Sequence, residues 1–332
     1  MAVAVLDVSG LRVSIRGDEG TARILDHVSL RLEAGRILGV VGESGCGKST
    51  LIKAILGIMP AAATVEAGRI LFEGEDLLAF NEATLNTTIR GSRIGFIPQD
   101  PYLALNPLFT VGAQMLETMR WHAKPSRHGP DRVSTSVHRA RLVALLRRVQ
   151  LPDPEGALDR YPHQFSGGQR QRLVIAAALA CAPTLIVADE PTTALDVTTQ
   201  QQILVLLREL VTGSGVSMLF VTHDLGVVAQ LCHDLVVIYA GQTVEAGATA
   251  DVLAAASHPY TRALLACHPD RSARFVGIPG TVPSPLRAPP GCRFAPRCDD
   301  ARSACAERPM RLMAAGRPGQ QANCILYDAA SP

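Results

Sequence analysis

The chain is poor in most of what marks a membrane span or a nucleic-acid surface. Aromatic residues make up 4% of its 332 positions, with a single Trp, so Ala, Val and Leu must carry the burial. Charged residues are 19%, below the usual level of about 25%. The net charge of +2 is too small to suggest a nucleic-acid binder. No stretch of about 18 uncharged apolar residues occurs. The longest apolar run, "LVIAAALACAPTLIVA" at 173–188, is broken by Pro183, so the chain is not expected to span a membrane by itself. The opening "MAVAVLDVSGLRVSI" alternates and reaches Asp7 and Arg12 early, which does not read as a signal peptide. There is no internal repeat. These absences point to a reducing compartment, where clustered cysteines bind metal more often than they form disulfides. What is present is ample core material: 47% hydrophobic residues, in a length that suits one large domain and a smaller one.

Short Val/Ile-rich runs recur, each followed by a turn and a helical pattern: "ILGVV" (37–41), "TLIVAD" (184–189), "SMLFVTH" (217–223) and "DLVVIYAG" (234–241). Runs apolar on both faces suit strands buried between helices in a parallel sheet, an α/β fold. Residues 110–122 and 136–150 predict a mostly helical insert between two halves of that sheet. After about residue 268 periodicity fades into "GIPGTVPSPLRAPPGC", a loop-rich appendix with little core of its own.

"GESGCGKST" (42–50) follows a predicted strand, opens a predicted helix and matches G-x-x-x-x-G-K-[ST]. In that context Gly42, Glu43, Ser44, Gly45, Cys46, Gly47, Lys48, Ser49 and Thr50 form a phosphate-binding loop. Its glycines admit a tight backbone, and its amides face the anion. Lys48 neutralises the β- and γ-phosphates and Ser49 offers its hydroxyl to Mg²⁺. Cys46 is assigned no chemistry. "LIVADEP" (185–191) ends a buried strand in two acids, costly unless they work. Asp189 is the candidate Mg²⁺ ligand and Glu190 the candidate general base toward an attacking water. In "FSGGQRQR" (165–172), Ser166, Gly167 and Gly168, followed by Gln169, open a second helix with N–H groups available to an anion. Two such sites make sense if two subunits face each other, each completing the other's ATP pocket.

These motifs resemble the ATP-binding subunits of ABC transporters, over roughly residues 1–250 and in that family's order. The resemblance implies a P-loop ABC ATPase core with a helical signature subdomain at about 100–182, and an extension from 251 to 332. It makes Gln99 of "FIPQDP" a ligand of Mg²⁺ or of the attacking water and a sensor of the membrane subunit. It makes Asp196 of "TTALD" the D-loop acid and His223 of "VTHDL" the γ-phosphate contact. One departure stands out: Ile15 or Arg16 occupies the place of the aromatic residue that usually stacks on adenine. "QDPYLALNPLFTVGAQ" (99–114), "HPYTRALL" (258–265), and the cysteine-bearing tail with "GTVPSP" before it are similar to the oligopeptide/dipeptide/nickel importer group.

That likeness implies a heterodimer with a second related ATPase, two membrane permeases, an external substrate-binding protein and a peripheral place on the cytoplasmic face of the inner membrane. Pro101 to Phe109 falls where the family docks the permease's coupling helix. Peptides are favoured as cargo over nickel. A non-transport ABC ATPase usually carries two ATPase units per chain or coiled-coil insertions, and this chain has neither. Intact Lys48, Asp189 and Glu190 argue against an inactive subunit.

Four of the eight cysteines crowd into the last 41 residues, spaced Cys292-x5-Cys298-x6-Cys305-x18-Cys324. This matches neither the close pairs common in zinc sites nor the common ferredoxin spacings. The residues alone leave an iron–sulfur cluster, zinc and free thiols open. The family resemblance favours a four-iron cluster. Cys181, Cys232 and Cys267 read as core residues.

Overall fold

A computed structural model describes residues 4–123, 134–193, 195–267, 277–307 and 311–328. The chain divides into two compact units, 1–79 with 219–332, and 80–218.

The first unit begins with two 14-residue strands, β1 (Ala4–Gly17) and β2 (Gly20–Glu33), paired antiparallel. β3 (Ile37–Val41) follows, and all five of its residues are buried, as both-face burial in a sheet demands. The loop after it runs into α1 (Lys48–Leu56), which ends where Gly57 turns left-handed. β4 (Ala63–Phe72) and β5 (Glu75–Asp76) complete an antiparallel sheet ordered β2-β1-β4-β5.

The second unit opens with α2 (Glu82–Thr84), capped by Asn81, and β6 (Ile94–Ile97). Its helical insert is α3 (Val111–Trp121), α4 (Thr135–Arg148) and the short α5 (Pro154–Ala157). Each starts at an oxygen-bearing cap, Thr110, Ser134 and Asp153. α6 (Gly167–Leu179) leads past Pro183 to β7 (Leu185–Asp189), which pairs parallel with β6. α7 (Val197–Ser214) runs from the Asp196 cap to a left-handed Gly215.

The chain returns to the first unit within β8 (Ser217–Thr222). α8 (Leu225–Leu231), β9 (Asp234–Tyr239), β10 (Gln242–Ala248), α9 (Thr249–Ala254) and α10 (Pro259–Ala266) follow. The tail adds α11 (Ser303–Glu307), β11 (Met313–Ala314) and β12 (Gln321–Ala322).

The parallel pairing expected of the buried runs is joined in this unit by antiparallel strands. β3 and β9 are parallel, but β10 runs antiparallel to β9, β12 to β10, and β11 to β12. The reversal is local. Ala240 and Gly241 both have positive φ, 43° and 83°, as a two-residue primed hairpin turn requires. A Cβ at Gly241 would stand 2.0 Å from the Ile24 carbonyl oxygen, so only glycine fits. The tail also differs from a bare appendix. Its β12 extends the β10 edge, and its buried Ala315, Ala322 and Cys324 form a small cluster against Tyr327.

Candidate functional site

The candidate phosphate loop, residues 42–50, lies wholly in the first unit. Gly42 follows the last residue of β3 closely packed: a Cβ there would meet the Ile238 carbonyl oxygen at 2.0 Å and Cys46 Sγ at 2.7 Å. Gly47, the residue before α1, has φ 104°, and a Cβ on it would meet Leu25 at 2.7 Å. Both glycines are therefore sterically required, which is how the loop draws its backbone tight. No side chain caps α1 and no acid occupies its first turn. That leaves the dipole's positive end suited to an anion. Lys48 is buried, and its Nζ donates to the carbonyls of Gly42 at 2.7 Å and Glu43 at 3.2 Å, which fixes the ammonium over the loop. Cys46 is buried too, and burial pushes its thiol pKa up, so it stays a neutral packing group.

Also in this unit, His223 lies exposed between β8 and α8. Its neighbour Asp224 accepts from the amides of Gly226 (2.7 Å) and Val227 (3.2 Å), which starts α8 immediately after the histidine. Ile15 is half-buried and Arg16 exposed, both on β1.

The second unit brings together Glu190 and Gln99, 91 positions apart in sequence. The Gln99 amide donates to Glu190 Oε2 at 3.4 Å, and the Thr193 hydroxyl donates to the same oxygen at 3.1 Å. Glu190 carries φ 44°, a strained conformation for a side chain of this size. It stands at the end of β7, whose first four residues are buried, so a rigid strand presents a strained carboxylate. Asp189 is the last residue of that strand.

Ser166 caps α6 in a reciprocal capping box. Its Oγ accepts the Gln169 amide at 3.4 Å, and Gln169 Oε1 accepts the Ser166 amide at 3.1 Å. Gln169 therefore serves the helix start itself. Gly168 packs on the start of α7: a Cβ there would meet Thr199 Cγ2 at 2.7 Å. Thr199 in turn donates to Asp196, from its amide at 2.9 Å and its hydroxyl at 2.7 Å. These bonds, the amide's first, hold the Asp196 carboxyl below its usual range. One contact was not foreseen from sequence: the Arg170 guanidinium lies 4.3 Å over the Tyr102 ring. In the loop that follows Tyr102, Leu103 and Leu108 are 84% and 79% exposed.

In the first unit, Cys292, Cys298, Cys305 and Cys324 line one cavity, together with His258 and Asp300. The crowding of these four cysteines in the sequence and the family resemblance both anticipate a shared site, though their spacing matches no common metal motif. Burial pushes the Cys292 thiol up to about 12, and it also raises Cys298 and Cys324. Among the described residues no group of three or more His, Cys, Asp or Glu side chains is arranged to hold a metal ion. Of the other cysteines, Cys232 is buried as expected, whereas Cys181 and Cys267 are only half-buried.

No described helix is long and apolar enough to cross a membrane. The family model for ABC transporters matches residues 25–193, and that for the oligopeptide/dipeptide transporter C-terminal region matches 244–305. The chain is 44% identical over 326 residues to a probable peptide ABC transporter ATP-binding protein of Sinorhizobium fredii, covering 96% of this chain and 94% of that one. It is 40% identical to the dipeptide transport ATP-binding protein DppD of Escherichia coli, covering 99% of each. Its fold is similar to a solved dimeric ATP-binding cassette, MJ0796, bound to ADP and Pi. There the TM-score is 0.62 at 27% identity, over 74% of this chain and 98% of that one. So close a likeness along nearly the whole length, together with both family models, makes the chain a member of the ABC transporter ATP-binding family, with that family's oligopeptide/dipeptide C-terminal region.

Proposed function

We propose that this chain is the ATP-hydrolysing subunit that powers import of oligopeptides or dipeptides. The observation that supports it most is Glu190 held by Gln99 and Thr193, in a chain so similar to dipeptide transport ATP-binding proteins. The phosphate loop takes the triphosphate, with Lys48 neutralising its charge. Glu190 accepts a proton from water as the water oxygen bonds to the γ-phosphorus. The bond from that phosphorus to the bridging oxygen breaks, releasing ADP and phosphate. Gln99 orients the water, and His223 contacts the γ-phosphate. By the family pattern, Ser49, Gln99 and Asp189 would be the oxygen ligands of Mg²⁺, which would offset phosphate charge.

Membrane permeases and a substrate-binding protein complete such a system. The finer assembly follows from the family pattern. A second, related ATPase pairs with this one, so that Ser166, Gly167, Gly168 and Gln169 face the partner's ATP and Asp196 communicates between the two. Exposed Leu103, Leu108 and Phe109 supply an apolar footing for a permease helix. The pair lies on the cytoplasmic face of the membrane. Residues 1–250 make the cassette, with its helical part at about 100–182, and 251–332 the extension. Uptake of labelled dipeptide by the assembled complex tests the function: Glu190→Gln should stop it, and sustained multiple-turnover uptake would rule the reading out.

We further propose, from the family resemblance, a four-iron iron–sulfur cluster as a resident group; the four cysteine thiols that line one cavity supply the donor type and number it takes. When bound, it would be held by Cys292, Cys298, Cys305 and Cys324 and would staple the tail. Metal analysis of anaerobically purified protein should give about four irons with matching sulfide; one zinc per chain, or no metal, contradicts the cluster.

A further inference from the structure

The stretch His258-Pro259-Tyr260 has no task in ATP chemistry, yet it lies under the phosphate loop. Tyr260 is fully buried, and its hydroxyl accepts the backbone N–H of Glu43, the second residue of the loop, at 3.1 Å. From the tail, Arg297 Nη1 reaches the Glu43 carboxylate at 3.2 and 3.4 Å and donates to the Tyr239 hydroxyl at 3.0 Å. The Arg297 side chain is only 5% exposed. It is itself fixed by donation to the carbonyls of Pro279 at 2.8 Å and Ile278 at 2.9 Å.

Behind these two contacts stands an aromatic wall. Tyr239 and Tyr260 have ring centres 4.5 Å apart, and Phe294 meets them edge-on at 5.2 and 5.4 Å. The wall continues to the four-thiol cavity. His258 Nδ1 accepts the Tyr260 amide at 3.0 Å, its Nε2 lies 4.0 Å from Cys292 Sγ, and Arg297 directly precedes Cys298.

An acid inside an anion-binding loop is electrostatically misplaced. A carboxylate a few ångströms from a triphosphate repels it unless a cation stands between or beside them. Arg297 is that cation, and Tyr260 fixes the backbone that carries the acid. We propose that Arg297 and Tyr260 are positioning residues for nucleotide. The tail neutralises and holds Glu43, so that the phosphate loop is preformed for the triphosphate. This rests on the reading of residues 42–50 as the nucleotide loop.

The experiment is calorimetric titration of the full chain with magnesium AMP-PNP, a non-hydrolysable ATP. Arg297→Gln should weaken binding about tenfold, the size of a lost charge-assisted contact, and Tyr260→Phe about fivefold. Adding Glu43→Gln to Arg297→Gln should restore affinity to within about threefold of wild type, because the unneutralised charge is gone. A merely structural arginine gives no such rescue. Weakened binding without rescue, or wild-type affinity in both Arg297→Gln and Tyr260→Phe, overturns the proposal. Lys48→Ala is the separate control. If it binds nucleotide as well as wild type, the loop reading falls instead.

Discussion

The phosphate loop and the four-thiol cavity are both candidate sites of the first unit, and they are built in opposite ways. The loop is nine consecutive residues whose shape follows from local sterics: glycines at 42 and 47 because no Cβ fits, and a helix start directly after. The cavity gathers residues from 258 to 324, brought together by α10, a hairpin edge and a short helix. A site made by neighbours in the chain writes itself into the sequence as a motif. A site made by folding leaves only residue types and counts.

The largest effect expected on the local side is catalytic. Glu190→Gln should lower ATP turnover about 10²–10⁴-fold while leaving nucleotide affinity nearly unchanged; single-turnover kinetics beside equilibrium binding separates the two. Next comes Gly42→Ala, which places a methyl 2.0 Å from a backbone oxygen. It should cost about 1–3 kcal/mol or more of stability and distort the loop, read as a lower melting temperature with weaker nucleotide binding. On the assembled side, Cys305→Ala should release the tail while sparing the rest. Limited proteolysis should then cut first beyond residue 277, and tail protection equal to wild type would mean that the thiols do not staple it. Ser166→Ala removes one helix cap and should cost about 1 kcal/mol, a shift of a few degrees in melting temperature. Smallest of all, Cys46→Ser should change ATPase rate less than about twofold, since the thiol is a buried neutral filler.

The legibility of the fold follows the same division. Buried Val/Ile runs marked β3, β7, β8 and β9, and amphipathic patterns marked α3 and α4, because period and burial are local signals. The antiparallel turn after β9 was missed, because a continuous apolar run says nothing of direction and the decisive Ala240–Gly241 turn carries no Asn-Gly or Asp-Gly mark. The strands of the tail were missed because two-residue ladders leave no periodicity. Of the candidate site, the motifs that nominate Lys48, Gln99 and Glu190 stand in the sequence, and the structure brings Gln99 to Glu190. The strain at Glu190 and the Tyr102–Arg170 stack were not legible, since they depend on backbone angles or on residues far apart, whereas the Ser166–Gln169 capping box is a local S-x-x-Q pattern that the sequence carries.

The most direct single measurement is ATP hydrolysis and labelled-dipeptide uptake, followed together in proteoliposomes that hold this chain with the permeases and the second ATPase of the proposed complex, supplied with binding protein. An importer ATPase predicts that uptake requires MgATP and that hydrolysis rises when loaded binding protein is added. Brisk hydrolysis with no peptide accumulating under any loading would contradict the assignment.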